Sequence, residues 1–111
     1  KVIIGDVLEE EGRQILAEID ESGDQEVFLH IDVTNESDWS NAVAAAVSKY
    51  DSLDCLVNNA GIGGTPTNVE GTTSELWDTT MDINAKGYSW VLKRLSPKCA
   101  SLAVAPSSTY P

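Results

Sequence analysis

Asn58-Asn59-Ala60-Gly61 directly follows the apolar run Leu53-Asp54-Cys55-Leu56-Val57, and this junction is the chain's strongest chemical signal. A strand that ends in small amide and glycine residues lets a ligand approach its backbone closely. In open α/β sheets that carboxyl rim is where ligands bind. Two acids occupy comparable places, Asp6 at the end of Lys1–Asp6 and Asp32 near the end of Val27–Val33. At the end of the second strand of a dinucleotide-binding domain, such a carboxylate accepts hydrogen bonds from the adenosine ribose hydroxyls. Asn84 lies within Met81-Asp82-Ile83-Asn84-Ala85-Lys86-Gly87; asparagine is a poor mid-helix residue, which fits an imposed kink. Each position also has a plainer reading: an amide-capped turn, acids serving the positive ends of helices, an exposed helical asparagine.

The elements that would hold these residues alternate. After the strand Lys1–Asp6, Leu8, Gly12, Ile15, Leu16 and Ile19 form one face of an amphipathic helix, which Ser22-Gly23-Asp24 ends. Val27–Val33 is the second strand. Thr34-Asn35-Glu36-Ser37-Asp38 supplies N-cap candidates and first-turn acids for a helix with the face Trp39, Val43, Ala46, Val47 and Tyr50. Asp51-Ser52 breaks that helix, and Leu53–Val57 is the third strand. After a loop over Gly61–Thr73, Ser74 caps a helix through Leu76, Trp77, Met81 and Ile83, running on past Asn84. Strand–helix alternation with short connections predicts right-handed βαβ crossovers and a parallel sheet. The expected fold is therefore α/β, a partial doubly wound, Rossmann-like sheet in three α/β/α layers.

Composition narrows the function classes. The chain has 111 residues, enough for one domain or part of one, and its net charge of −11 disfavours nucleic acid or an anionic membrane as partner. No apolar run approaches the roughly 20 residues that span a bilayer. Cys55 and Cys99 have no metal-ligand spacing; Cys55 is expected to be a buried small hydrophobe, and the setting reduced and cytoplasmic. His30 has no second histidine or thiolate cluster nearby in sequence, so no metal site is expected. All eighteen acids lie at or before Asp82, so residues 1–87 carry −14 and residues 88–111 carry +3. The opening Lys1-Val2-Ile3-Ile4-Gly5 reads as the middle of a protein, not as a signal peptide.

Asn58–Gly61, the spaced acids Asp6 and Asp32, and Asn84 together resemble the classical short-chain dehydrogenases/reductases, nicotinamide-dependent oxidoreductases, over residues 1–87. The resemblance implies strands two to four of that family's fold. It implies that Asp6 and Val7 meet the adenosine ribose, that Asp32 meets the adenine amino group, and that Val33 lines the adenine pocket. Asn59, Ala60 and Gly61 would run along the ribose and nicotinamide side. Asn84 would be the catalytic-tetrad asparagine, its carbonyl holding a water. A carboxylate at Asp6 would repel a 2′-phosphate, so NAD is expected over NADP. The implied reaction is hydride transfer between NAD(H) and a secondary alcohol or ketone, of the alicyclic-alcohol or hydroxysteroid kind. Family members are commonly homotetrameric; this chain's own assembly is left open.

Residues 88–111 depart from the family and show no clean period, and the catalytic Tyr-x-x-x-Lys pair and the glycine-rich loop are absent. A back-translation of Ala103–Pro111 read one base earlier spells Gly-Gly-Gly-Ser-Ile-Val-Asn-Ile-Ser, which is similar to the family's fifth strand. The tail is therefore expected to be frameshifted or truncated, and the 111 residues alone to be inactive and partly unfolded or aggregation-prone. Two other classes stay open: a non-catalytic acidic α/β interaction module with a cation or phosphoryl site at Asp6 and Asp32, and a non-functional gene remnant. The dinucleotide reading requires Asp6, Asp32 and Gly61 to finish parallel segments at one rim.

Overall fold

A computed structural model of the protein describes residues 1–19, 26–63 and 69–95. Strand β1 (Ile3–Asp6) leads through helix α1 (Glu9–Ile19) to strand β2 (Val27–His30), which pairs with β1 in parallel. The register sets Ile3 opposite Val27, Ile4 opposite Phe28, Gly5 opposite Leu29 and Asp6 opposite His30. Helix α2 (Glu36–Tyr50) follows, then a single 3₁₀ turn over Val69–Gly71, helix α3 (Ser74–Met81), a π turn over Asp82–Lys86 and helix α4 (Gly87–Leu95). This is a small Rossmann-like α/β arrangement, a parallel pair joined by a helical crossover.

Local chemistry sets the boundaries. Asn35 caps α2, its side chain accepting from the Ser37 amide at 3.0 Å, while Glu36 and Asp38 sit at the positive end of the helix. The helix ends on Asp51 in the left-handed region (φ 66°), whose amide returns to the Val47 carbonyl at 2.9 Å. Thr73 caps α3 through the Leu76 amide; the cap falls one residue before the expected Ser74. Gly12 is buried on α1 because a Cβ there would run into the Phe28 ring.

The core is built mainly by α2 and α4. Trp39, Val43 and the fully buried Val91 form its centre, with Val33, Leu53, Leu56, Tyr88 and Trp90 packed around them. Lys93 Nζ meets Glu36 Oε1 at 3.1 Å and ties the two helices at the surface. The expectation that residues 88–111 lack a period is thus corrected for 88–95: Tyr88 and Val91, three apart, bring one face of a regular helix to the core. Residues 96–111, which carry the rest of that expectation, lie outside the described residues, as does Ser22-Gly23-Asp24.

Three other expectations are corrected. Val27–Val33 is a strand only to His30; the last ladder bond runs from the Ile31 amide to the Asp6 carbonyl at 3.0 Å, and a turn over Val33-Thr34 follows. Leu53–Val57 is not a strand among the described residues. A strand needs a neighbour's backbone, and here Leu53 and Leu56, three apart, turn to the helical core instead of alternating. Cys55 is consequently exposed rather than buried, and Val57 is 65% exposed. On α1 the expected face is only partly covered: Gly12 is buried, while Leu8, just before the helix, and Ile15 and Ile19 are about half exposed.

Candidate functional site

Asp6 and Asp32 solve the same local problem in the same way. Asp6 Oδ1 accepts the Leu8 amide at 3.0 Å, and Asp32 Oδ1 accepts the Thr34 amide at 2.9 Å. Each carboxylate turns the chain sharply just after its strand and commits only one oxygen to that amide. Asp32 is held more firmly, because the Thr34 hydroxyl donates to the same Oδ1 at 2.7 Å and the Asp32 amide donates to Asp38 Oδ2 at 3.0 Å. The Thr34 hydroxyl and amide hold the Asp32 carboxyl below the usual carboxylate range; partial burial opposes this, and nearby His30 adds to it weakly.

A cleft of about 390 Å³ opens beside these turns, lined by Val7, Asp32, Thr34, Thr79, Asp82 and Ile83. Parallel pairing of β1 and β2 places Val7 and Asp32 at one rim, since each lies just past the carboxyl end of its strand. The opposite wall comes from α3 and the π turn. Asp82 on that wall pairs with Lys86 at 3.0 Å. Val7 and Ile83 are the apolar lining residues, and Val7 is 52% exposed.

Val33 lies elsewhere. It packs against the Trp39–Val43–Val91 core, its carbonyl accepts the Trp39 indole N–H at 3.0 Å, and it is absent from the cleft lining. Asn59, Ala60 and Gly61 are exposed and extend from the unpaired segment, apart from the cleft's lining residues, so of the three residues expected to finish parallel segments at one rim Gly61 does not; the rim is formed by Asp6 and Asp32 alone. Preceding them, Asn58 turns inward; its Nδ2 is buried without a partner among the described residues.

Asn84 joins the two regions. Its Oδ1 accepts the Ile62 amide at 2.8 Å and its Nδ2 donates to the Ile62 carbonyl at 2.9 Å, a reciprocal clip that satisfies both backbone groups of the residue after Gly61. A Cβ on Gly61 would stand 3.3 Å from Asn84 Oδ1, so the small residue leaves room for the amide. The helix kinks where the sequence suggests: residues 82–86 form the π turn, closed by the Gly87 amide to the Asp82 carbonyl. Ile83 thereby lines the cleft while its neighbour Asn84 holds the Asn59–Ile62 segment.

Sequence reasoning missed Thr34, Thr79, Asp82 and Ile83 as cleft residues. Thr79 and Ile83 are four apart, a helical spacing that signals a shared face, but the face read from the sequence was Leu76, Trp77, Met81 and Ile83. Of that face Trp77 is 60% and Met81 41% exposed, while Leu76 is half-buried and Ile83 lines the cleft, so the expected face is only half covered. His30 is exposed, and among the described residues no three His, Cys, Asp or Glu side chains are grouped to hold a metal. No described helix is long and apolar enough to cross a membrane.

Comparison with known proteins bears directly on this geometry. The family model described as short chain dehydrogenase matches residues 1–103. A cyclopentanol dehydrogenase of Comamonas testosteroni is 46% identical over 85 residues, covering 77% of this chain and 34% of that protein. A 3-alpha-(or 20-beta)-hydroxysteroid dehydrogenase of Mycobacterium tuberculosis is 39% identical over 87 residues, covering 78% of this chain and 32% of that protein. The crystal structure of 3-ketoacyl-(acyl-carrier-protein) reductase from Brucella melitensis complexed with NADH superposes with a TM-score of 0.79 at 36% identity, covering 87% of this chain and 38% of that one. The chain thus spans about a third of the length of these curated relatives, at 34% and 32%.

Proposed function

Since the chain belongs to the short-chain dehydrogenase family, we propose that it supplies the adenosine end of a nicotinamide cofactor site in an oxidoreductase. The bound cofactor would accept or donate a hydride, with a secondary alcohol or ketone as the other partner. A relative named for cyclopentanol and another named for hydroxysteroids support an alicyclic or steroidal alcohol. The observation that carries the reading is the common rim: Val7 and Asp32 line one cleft, with Asp6 beside it, at the carboxyl ends of paired parallel strands.

The residues present suit the adenosine half. Asp6 leaves one oxygen beyond its bond to the Leu8 amide, suited to a ribose hydroxyl, and its charge disfavours a 2′-phosphate, which supports NAD over NADP. Val7 and Ile83 offer apolar walls to a base, and Asp32 offers an acceptor. Val33 packs on the Trp39–Val43–Val91 core and adds no wall to the cleft. Asn59, Ala60 and Gly61 would face the ribose and nicotinamide side, held in place through the Ile62–Asn84 clip. Asn84 would be the catalytic asparagine, acting through its carbonyl in the π turn.

Residues 1–87 would form the partial cofactor domain, with the helix over 87–95 packed into its core, and the 111 residues alone are expected to be inactive. The enzyme is expected to be cytoplasmic. Titrating the chain with NAD and with NADP by ligand-observed NMR tests the reading. Saturable binding that favours NAD, and loses that preference in Asp6→Asn, would support the reading and overturn the expectation that the 111 residues alone are partly unfolded; equal affinities, or no saturation, would refute it. A magnesium titration discriminates the acidic interaction module, which would bind the cation instead of the dinucleotide.

A further inference from the structure

Strand β1 has β2 on one side and no described strand on the other. Its backbone groups alternate between the two sides. The Val2 carbonyl accepts the Val27 amide at 3.1 Å and the Asp6 carbonyl accepts the Ile31 amide at 3.0 Å, so even-numbered residues turn to β2. Ile3 and Gly5 therefore direct their N–H and C=O groups away from it, along an edge with no charge and no proline from Val2 to Gly5. We propose that this edge pairs with β1 of a second copy of the chain, antiparallel and centred on Ile4, in a closed two-fold dimer. Such pairing is independent of the cofactor reading.

The edge is self-complementary in that register. With Ile4 opposite itself, Ile3 faces Gly5 of the second copy and Gly5 faces its Ile3, and each pair exchanges two backbone bonds. The charges agree. Val2 meets Asp6 of the second copy, and Lys1 comes to that strand's acidic end, where Asp6, Glu9, Glu10 and Glu11 lie. The outer edge of β2 lacks this match. Phe28 and His30 turn outward there, and pairing about Leu29 would set Glu26 against Asp32 at both ends, like charges directly opposite. Helix α1 favours the β1 edge too. Gly12 is buried against Phe28, yet Leu8, Ile15 and Ile19 on the same face are 54%, 50% and 55% exposed, so two strands leave that face partly uncovered. A two-fold axis perpendicular to the sheet doubles its width and puts both copies of α1 on one side of it.

Sedimentation equilibrium of the 111-residue chain should show a mass that doubles with concentration and rises no further. Amide exchange locates the contact: Ile3 and Gly5 should slow as concentration rises, while Phe28 and His30 should not. Val2 is 48% exposed, so Val2→Glu and Val2→Lys test the register without touching the core. The first sets a carboxylate against Asp6 at both ends and should weaken the dimer about fivefold; the second sets a cation there and should tighten it by about as much. Ile3→Pro removes an outward amide but no ladder bond, and should leave a monomer. His30→Pro makes the same change on the outer edge of β2 and should leave the dimer intact. A monomer at every concentration, exchange at Ile3 and Gly5 that ignores concentration, equal effects of the two Val2 variants, or growth past the dimer overturns the proposal. Loss of the dimer in His30→Pro with the Ile31 amide still protected places the contact on β2 and overturns it as well.

Discussion

Replacing Gly87 by alanine sets two effects of similar size against each other. Gly87 is ordinary right-handed helix (φ −53°, ψ −42°), so conformation alone would welcome alanine. A helical Gly→Ala change is worth about 0.8–1.0 kcal/mol in favour of alanine. Its Cβ, however, would stand 2.6 Å from the Val33 carbonyl oxygen and 3.1 Å from the Val33 carbonyl carbon. Ordinary C···O contacts lie near 3.3–3.6 Å, so one side must withdraw by about 0.7 Å or more. Neither side is free to do so. The Val33 oxygen is held at 3.0 Å by the indole of buried Trp39, and α4 is anchored by Val91, which is 0% exposed. Overpacking of this kind costs about 1–3 kcal/mol, so the clash wins and the net destabilisation is about 1 kcal/mol. Urea unfolding followed by tryptophan fluorescence measures it, and indole N–H exchange at Trp39 should quicken because its acceptor is displaced. Gly63→Ala, where an added Cβ meets nothing within 4 Å, serves as the neutral control. Should Gly87→Ala instead stabilise the chain by about 1 kcal/mol, as at an unencumbered helical glycine, the packing account of the α4 entry is wrong.

Asn84→Ala removes both bonds to Ile62, at 2.8 and 2.9 Å; these are solvent-exposed, so the loss should be about 1–2 kcal/mol, with faster amide exchange at Ile62 as the specific readout. Val91→Ala truncates a fully buried side chain between α2 and α4, and should cost about 1.5–3 kcal/mol by urea melt. Asp32 is depressed when folded, so its contribution is complete above the ordinary carboxylate pKa and disappears as pH falls through its lowered one. Glu75 follows the same sign, held low first by its own amide and then by Thr73. Acid titration watched at the Thr34 amide should show the Asp32 turn persisting below the pH at which exposed carboxylates protonate; loss of the turn together with them would contradict the assignment.

Much of this arrangement is legible in the sequence because it is periodic or local. The β1–α1–β2–α2 order follows from alternating patterns, and the Asn35 cap from a polar residue before the Trp39–Val43–Ala46 face. Asp6 and Asp32 are found because acids at strand ends are conspicuous. Leu53–Val57 misleads because a strand is defined by its neighbours, and composition alone does not supply them. The cleft's second wall is hidden for a different reason. Thr34 shares the cleft with Thr79 and Asp82 although α2 and the following loop separate them in sequence, and nothing in nearby sequence encodes that approach. The overlooked α4 has a cause in the π turn, which shifts the helical phase between Leu76 and Val91, so that no single helical period runs through both.

That shift makes the kink act as a spacer in angle as well as length. A π turn closes i→i+5 and so holds one residue more than the α-helical turn it replaces, and one residue of α-helix is worth about 100° of rotation. Deleting one residue within 82–86 would let the turn close to regular helix with Val91 still placed against Trp39 and Val43. Deleting one residue of regular helix in α3 would instead swing Val91 out of the core by about 100°, and should be borne far worse.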